Sequence, residues 1–206
     1  MAALTDIWCD VVRLRQGMHS THRRMLGDIL RPLNAILYSG ENQIDLATPT
    51  AYTVKFQMEG ETNGTSEIAD TATGISIQPT ATFTGATTDW LTANNHGLKD
   101  GDQLILSSTT TLPAGLATST RYYVRDPEPN RFKLSLSPNG SLIDVTDTGT
   151  GTHSYYVVGS VQYTFLAGGN DTVGRYAAWF TLTSTTVQTV PVSRTGLIVE
   201  ILALGN

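Results

Sequence analysis

Imidazole, thiol and carboxylate side chains are the groups in this sequence that could perform chemistry, and they lie far apart along the chain. The candidates for nucleophilic or acid–base catalysis are one cysteine and four histidines: Cys9, His19, His22, His96 and His153. None belongs to a Gly-x-Ser-x-Gly elbow, a phosphate loop ending in Gly-Lys-Ser or a His-Glu-x-x-His zinc helix, because the sequence contains none of these motifs. We therefore predict that the protein is not an enzyme.

Metal ligation needs several donors at fixed spacing. His19 and His22 are three residues apart and would share one face of a helix, but no cysteine or carboxylate nearby completes a metal site. Two acidic pairs offer oxygen ligands without the alternation and terminal glutamate of a calcium loop. These pairs are Asp100 with Asp102, and Asp144 with Asp147. Turn formation explains them, and we predict neither a metal nor a cofactor.

Five aromatic residues between positions 90 and 156 could form a platform on which sugar rings stack. They are Trp90, Tyr122, Tyr123, Tyr155 and Tyr156. Alternation along a strand would place one member of each tyrosine pair inside and the other outside, which favours core packing. A carbohydrate-binding module nevertheless stays open as an alternative.

Composition restricts the fold and the partners. The 206 residues are 40% hydrophobic and only 15% charged, with 19 glycines, which favours strands and turns over surface helices. The net charge of -5 argues against binding nucleic acid, which requires many lysines and arginines. The single cysteine, Cys9, cannot form an internal disulfide, and no membrane span can be drawn. We expect folding in a reducing compartment and no membrane partner.

The elements that must position these groups begin with a predicted α-helical segment at residues 1–40. Apolar residues recur there at alternating steps of three and four, the spacing of one stripe along a helix. With a neighbouring tryptophan they form the predicted docking face, which comprises Leu4, Ile7, Trp8, Val11, Leu14 and Met18. An apolar stripe must be buried, either on another protein or on the chain's own sandwich.

From Ile44 onward the apolar period changes to two. Residues 52–59 alternate apolar and polar side chains without a break, which predicts a strand that covers a core on one side. Residues 161–165 and 176–182 alternate likewise and are predicted to pair. Residues 197–202 are apolar on nearly both faces, which predicts a strand that is central in its sheet or covered by the N-terminal helix.

The stretch 81–157 has its own set of short predicted strands, each bounded by turn residues, at the spacing of a small β-barrel or sandwich: 103–106, 122–124, 132–136, 142–145 and 154–157. We predict that it is a domain inserted in a discontinuous β-sandwich formed by 41–80 and 158–206. The predicted fold class is therefore mostly β, with an inserted small β-domain and an N-terminal helical segment.

The outer stretches resemble the immunoglobulin-like N-terminal domain of phage baseplate upper proteins and related tailed-phage virion components. The resemblance lies in residues 44–46, 54–58, 159–165, 174–180 and 189–191. Gly174-x-Tyr176 also resembles the tyrosine corner of immunoglobulin folds, while Ala178 stands where antibody domains place a cysteine. The inserted stretch resembles β-modules of phage tail and fibre proteins in residues 95–102 and 146–153.

The resemblance implies a structural component of a tailed-phage particle, an adaptor or appendage at the tail, baseplate or neck. Its partners would be other virion proteins and further copies of itself, and it would be assembled in the host bacterial cytoplasm. Two alternatives differ in partner: a capsid decoration protein, or a carbohydrate-binding module that contacts host surface glycans through the inserted domain.

Overall fold

The computed structural model describes residues 11–14, 20–25, 32–39, 42–46, 52–61, 66–167, 172–183 and 190–203. These residues form sixteen β-strands and no helix, so the mostly β prediction is confirmed. None of them belongs to a helix long and apolar enough to cross a lipid bilayer. They divide into two compact units: residues 79–158, called here the barrel unit, and residues 10–78 with 159–206, called the sandwich unit.

The strands fall into three consecutive groups along the chain. The first seven belong to the sandwich unit: β1 (Val11–Leu14), β2 (Ser20–Met25), β3 (Leu33–Ser39), β4 (Asn42–Gln43), β5 (Thr53–Gly60), β6 (Ser66–Thr71) and β7 (Ile75–Ile77). Six form the barrel unit: β8 (Thr80–Gly85), β9 (Leu91–Thr92), β10 (Gln103–Ser108), β11 (Arg121–Glu128), β12 (Arg131–Ser135) and β13 (His153–Val157). Three complete the sandwich unit: β14 (Ser160–Tyr163), β15 (Gly174–Thr183) and β16 (Val190–Leu202).

Two five-stranded sheets make up the sandwich unit. One has the order β1-β3-β14-β7, with β4 paired to β3, and the other has the order β2-β16-β15-β5-β6. The pairs β1 with β3 and β2 with β16 are parallel, and all the other pairs are antiparallel. Buried residues of both sheets belong to one hydrophobic core, as in a sandwich.

Aromatic side chains of both sheets meet at the centre of that core. The ring of Phe56 on β5 lies 4.3 Å from the ring of Tyr163 on β14 and 5.2 Å from that of Phe180 on β15, measured between centroids. Alternation along β5 buries Val54, Phe56 and Met58 and leaves the intervening residues partly exposed. The period of two in this segment therefore turns one face of β5 to the core.

A row of alternating charges crosses the second sheet of the sandwich unit. Glu200 on β16 accepts a hydrogen bond from Arg23 on β2 at 2.7 Å, and it lies 3.9 Å from Arg175 on β15. Arg175 also pairs with Glu61, just after β5, at 3.3 Å. Such exposed pairs contribute at most about 1 kcal/mol each. The Arg23–Glu200 pair joins residues that stand opposite each other in the parallel register of β2 and β16, which it favours.

The helical prediction is wrong for residues 11–14, 20–25 and 33–39, which are strands, while residues 1–10 lie outside the described residues. Six consecutive residues of β3, Leu33 to Tyr38, are buried, so both faces of this strand are covered. A short run that is apolar on both faces cannot be assigned to helix or strand by periodicity alone. The described residues of the predicted helical segment are thus part of the sandwich unit.

Of two further predictions about the outer strands, one is wrong and one is confirmed. Residues 161–165 and 176–182 do not pair, because β14 belongs to one sheet and β15 to the other, where it pairs with β16 and β5. The apolar run 197–202 is central in its sheet, between β15 and β2, which confirms the first of the two placements predicted for it. Its inner residues Leu197, Val199 and Ile201 lie in the shared core.

The barrel unit is a closed barrel with the strand order β10-β11-β12-β9-β8-β13. Large side chains fill its interior, including the fully buried Tyr122, Phe132 and Tyr155. Residues 142–145, predicted as a strand, form only an isolated bridge between Leu142 and Ser135. The barrel unit extends from 79 to 158, and the predicted insertion extends from 81 to 157.

We predict that each unit folds without the other, because each has its own buried core and its strands pair within the unit. An excised segment 79–158 should unfold cooperatively, and so should a chain in which residues 80–157 are replaced by a Gly-Ser turn. Circular dichroism during heating, with amide NMR spectra compared to those of the full chain, checks both. Poorly dispersed amide signals from the excised segment at low temperature, as from a molten globule, would contradict the prediction.

Candidate functional site

A cleft of about 660 Å³ in the barrel unit brings polar side chains together. It lies between the β8–β9 hairpin and the segment 148–153, and we call it the threonine cleft. Seven polar side chains line it: Thr82, Thr84, Thr92, Asn94, Thr148, Thr152 and His153. None of the residues that line the cleft carries a carboxylate, ammonium or guanidinium group.

Strand alternation supplies the threonines on one wall. In β8 the side chain of Phe83 is buried, whereas Thr82 and Thr84 on either side of it are exposed. Thr84 stands opposite Thr92 in the antiparallel register of β8 and β9, so their side chains share one face of the hairpin. β-Branched threonine suits such a half-exposed strand position.

Two glycines with positive φ shape the opposite wall. Gly149 has φ of 64° and Gly151 has φ of 85°, values that residues with a side chain rarely adopt. A Cβ on Gly149 would lie 2.6 Å from the carbonyl oxygen of Thr111, and one on Gly151 would lie 2.5 Å from the hydroxyl of Thr109. The segment therefore packs closely against residues 109–113 only because it lacks side chains there.

His153, the last residue of the segment 148–153, holds the segment in place through both of its ring nitrogens. Its Nε2 lies 3.0 Å from the carbonyl oxygen of Thr148, and its Nδ1 lies 3.0 Å from the hydroxyl of Ser108. Since a carbonyl can only accept, Nε2 carries the hydrogen in the bond to Thr148, while the Ser108 hydroxyl also lies 3.2 Å from the carbonyl oxygen of Thr150, to which it donates. A serine and a histidine thus meet, but the position that a hydrolase gives to a carboxylate is taken by a backbone carbonyl. The arrangement tethers Thr148 to β10 and β13.

The turn before the glycines is organised by a carboxylate. Oδ1 of Asp147 accepts hydrogen bonds from the backbone N–H groups of Ala114 at 2.7 Å and Gly149 at 2.9 Å. These two bonds lower the pKa of Asp147. Asp102 similarly accepts from the backbone of Lys99 at 2.8 Å. In the described residues no three histidine, cysteine or acidic side chains are grouped so that they could hold a metal ion.

Three of the five aromatic residues considered for a sugar platform are not available for it, while Tyr123 and Tyr156 are half-buried. Tyr122 and Tyr155 are each 1% exposed and fill the barrel core. The ring of Trp90 is covered by two cations, since the Arg131 guanidinium carbon is 4.2 Å and the Lys133 ammonium is 4.7 Å from its centroid. The tryptophan face is therefore occupied by the chain's own side chains.

The predicted docking face lies mostly outside the described residues. Leu4, Ile7, Trp8 and Met18 are not described, and neither are Cys9 and His19. Val11 and Leu14 lie in β1, so a helical stripe that includes them is wrong, although docking by this segment stays a prediction. His22 lies in β2 and is buried with its ring stacked on Phe165, so the shared helix face with His19 is also wrong.

Sequence reasoning missed the threonine cleft. The one signal for it was the alternation Thr80, Thr82, Thr84 around Phe83, which marks a strand with a hydroxyl-bearing face. Nothing in the sequence showed that Thr92 and the segment 148–153 would converge on that face, because closure of the barrel brings them there.

No protein-family model matches the chain, and no curated protein is significantly similar to it in sequence. Its function must therefore be argued from its own residues.

His96 provides a test of the barrel interior. It is 2% exposed, its Nδ1 accepts from the N–H of Leu98 at 3.0 Å, and its Nε2 lies 3.3 Å from the carbonyl oxygen of Arg131. Burial lowers the pKa of His96 below its ordinary value of 6.5, against the opposing effect of the backbone bonds. Protonation of Nδ1 would also remove the bond from Leu98.

We predict that this histidine makes the barrel unit less stable in acid. Below pH 6.5 the unfolded chain binds a proton at this position that the folded chain does not, so the free energy of unfolding falls as pH decreases through the folded pKa. An NMR titration of the ring protons, assigned with His96→Gln, should give a midpoint below 6.5, and the variant should have a flatter stability profile between about pH 7 and 5. A midpoint above 6.5 would refute the prediction.

Proposed function

We propose that this chain is a structural component of a tailed-phage particle, an adaptor or appendage at the tail, baseplate or neck. It would act through an immunoglobulin-like sandwich that carries an inserted barrel. The observation that carries the proposal is the strand order of the sandwich unit together with the place where the barrel is inserted. The step from this architecture to a virion rests on the resemblance described above and is an analogy.

The strand order supports the immunoglobulin-like assignment. Taking β1, β3, β14 and β7 as strands A, B, E and D reproduces one immunoglobulin sheet, and β16, β15, β5 and β6 then correspond to G, F, C and C′ of the other. The barrel unit would occupy the connection between D and E. One departure is the parallel pairing of β1 with β3, since neighbouring strands of immunoglobulin sheets are mainly antiparallel.

Tyr176 near the start of β15 supports the same assignment. Its hydroxyl donates a hydrogen bond to the carbonyl oxygen of Thr172, four residues upstream, at 2.8 Å. A tyrosine corner has this geometry, and it places the tyrosine two residues before the cysteine position of strand F. Here that position is Ala178, which is fully buried.

The core also contains a residue that corresponds to the second cysteine of the immunoglobulin disulfide, the one on strand B. Ala35 on β3 and Ala178 on β15 are the two alanines of the core, one in each sheet, and both are fully buried. Phe56 on β5 occupies the place of the buried tryptophan of strand C. Cytoplasmic assembly would explain why small apolar residues stand where secreted domains have cysteines.

A disulfide test checks this correspondence. In a Cys9→Ser background, Ala35→Cys with Ala178→Cys should form an intramolecular bridge on mild oxidation, because the immunoglobulin positions lie within bridging distance. Mass spectrometry before and after alkylation measures it, with each single cysteine variant and the pair Leu33→Cys with Ala178→Cys as controls. Failure of the first pair to oxidise in folded protein would refute the immunoglobulin assignment.

A second test addresses docking by the predicted face. Deletion of residues 1–27 would remove β1 and β2, so point substitutions are sharper. Leu4→Ser, Ile7→Ser and Trp8→Ser together should lower incorporation into particles at least about tenfold, since burial of three large apolar side chains would be lost. Quantitative immunoblotting of purified particles measures this, with Thr5→Ser and Asp6→Asn as the matched control.

Gold labelling of the same particles shows where the chain lies. Label at the tail, baseplate or neck supports the proposal, whereas many copies over the head would favour capsid decoration. Normal incorporation of the triple variant would overturn docking through these residues, and absence of the chain from particles would overturn the virion role itself.

A further inference from the structure

We propose that the threonine cleft binds a neutral polyhydroxylated ligand, a segment of a glycan chain. This inference concerns a binding activity of the barrel unit and does not depend on the virion role. Four features of the cleft support it: its charge, its unengaged hydroxyls, its fixed shape and its volume.

Charge selects the class of ligand. The polar groups of the cleft are threonine hydroxyls, one asparagine amide and a histidine whose two ring nitrogens are already engaged. An anion such as phosphate or a nucleic acid backbone would find no cation among these residues. Hydroxyl and amide groups both donate and accept hydrogen bonds, and so do the hydroxyls of a sugar.

The hydroxyls on the hairpin wall are available. Within the described part of the chain, the hydroxyls of Thr82, Thr84 and Thr92 make no hydrogen bond to protein, and the same holds for the amide of Asn94. All four residues are exposed. A ligand would therefore replace water at these groups without breaking internal bonds, which keeps the cost of binding low.

The cleft is fixed before any ligand arrives. Thr82, Thr84 and Thr92 stand on paired strands of the closed barrel, and the opposite wall is tied down by Asp147 and His153. Little conformational entropy would be lost when a ligand binds. The volume of about 660 Å³ falls within the range of about 300–1,000 Å³ that small-ligand sites occupy.

Hydrogen bonding rather than ring stacking would give recognition. The aromatic ring at the cleft, Phe83, is only 4% exposed and contributes to its floor. Exposed neutral hydrogen bonds yield little net free energy, so we expect dissociation constants of about 1 mM for a short oligosaccharide. Several copies of the chain on one glycan surface would raise the effective affinity.

NMR titration of the isotope-labelled full chain tests the proposal. The probes are neutral oligomers of glucose, galactose and N-acetylglucosamine, with a sulfated oligosaccharide for comparison. At least one neutral oligomer should shift the amide signals of β8, β9 and residues 148–153. The valine substitutions Thr84→Val and Thr92→Val keep the branched shape and remove the hydroxyl, and each should weaken binding about five- to tenfold.

The matched control is Thr80→Val, an exposed threonine of the same strand that does not line the cleft. It should bind like the unaltered chain. Shifts at the cleft that depend on Thr84 and Thr92 but not on Thr80 support the proposal. No shifts with any neutral oligomer at 10-fold the expected constant, about 10 mM, or a preference for the sulfated probe, would overturn it. So would binding that the valine substitutions leave unchanged.

Discussion

The antiparallel pairing of β7 with β14 is the constraint on which this architecture depends. Ile77 stands opposite Val161, and the N–H of Gln78 donates to the carbonyl oxygen of Ser160 at 2.7 Å, so the chain leaves and re-enters the sandwich unit at one point. A connection between such close ends can be long at little cost, because loop-closure entropy grows only with the logarithm of its length. Gly159, with φ of 75°, fits here because a Cβ would lie 2.9 Å from the carbonyl oxygens of Leu37 and Ile44.

The two ends of the barrel unit must also lie close together, and its strand pairing achieves this. Its first and last strands pair with each other, Thr80 opposite Tyr156, so its ends are also close together. Each unit can therefore complete its own hydrogen bonding and bury its own core, whatever the other does. This is why a segment of the middle of the chain can hold a barrel while strands on both sides of it share one sandwich.

Patterns in consecutive residues predicted individual strands of this fold. The alternation of 52–59 gave β5, and the short runs bounded by turn residues gave strands at 103–106, 122–124 and 132–136, since a period of two is written in consecutive residues. The same logic failed where partners are distant. β2 pairs with β16, whose residues follow it by more than 170 positions, and no local pattern distinguishes such an edge strand from a short helix.

The candidate site shows the same division. Burial of Tyr122 and Tyr155 follows from alternation within single strands, whereas the threonine cleft combines three segments that only barrel closure brings together. A pattern of hydroxyl-bearing residues on one strand is common and carries little information by itself. The threonines of β8 form a cleft only together with Thr92 and the wall shaped by the two glycines. Neither is adjacent to β8 in sequence.

Most buried polar groups of the barrel unit form hydrogen bonds within the unit. Ligand binding by this unit therefore depends on its exposed polar groups. His96, Asp102 and His153 each use their side chains to hold backbone groups of turns, which leaves the polar atoms at the rim to meet a partner. Exposed neutral groups bind weakly one at a time because water competes for them. A rigid unit with such a surface therefore gains useful affinity by repetition, which is the arrangement that a symmetric assembly of many copies provides.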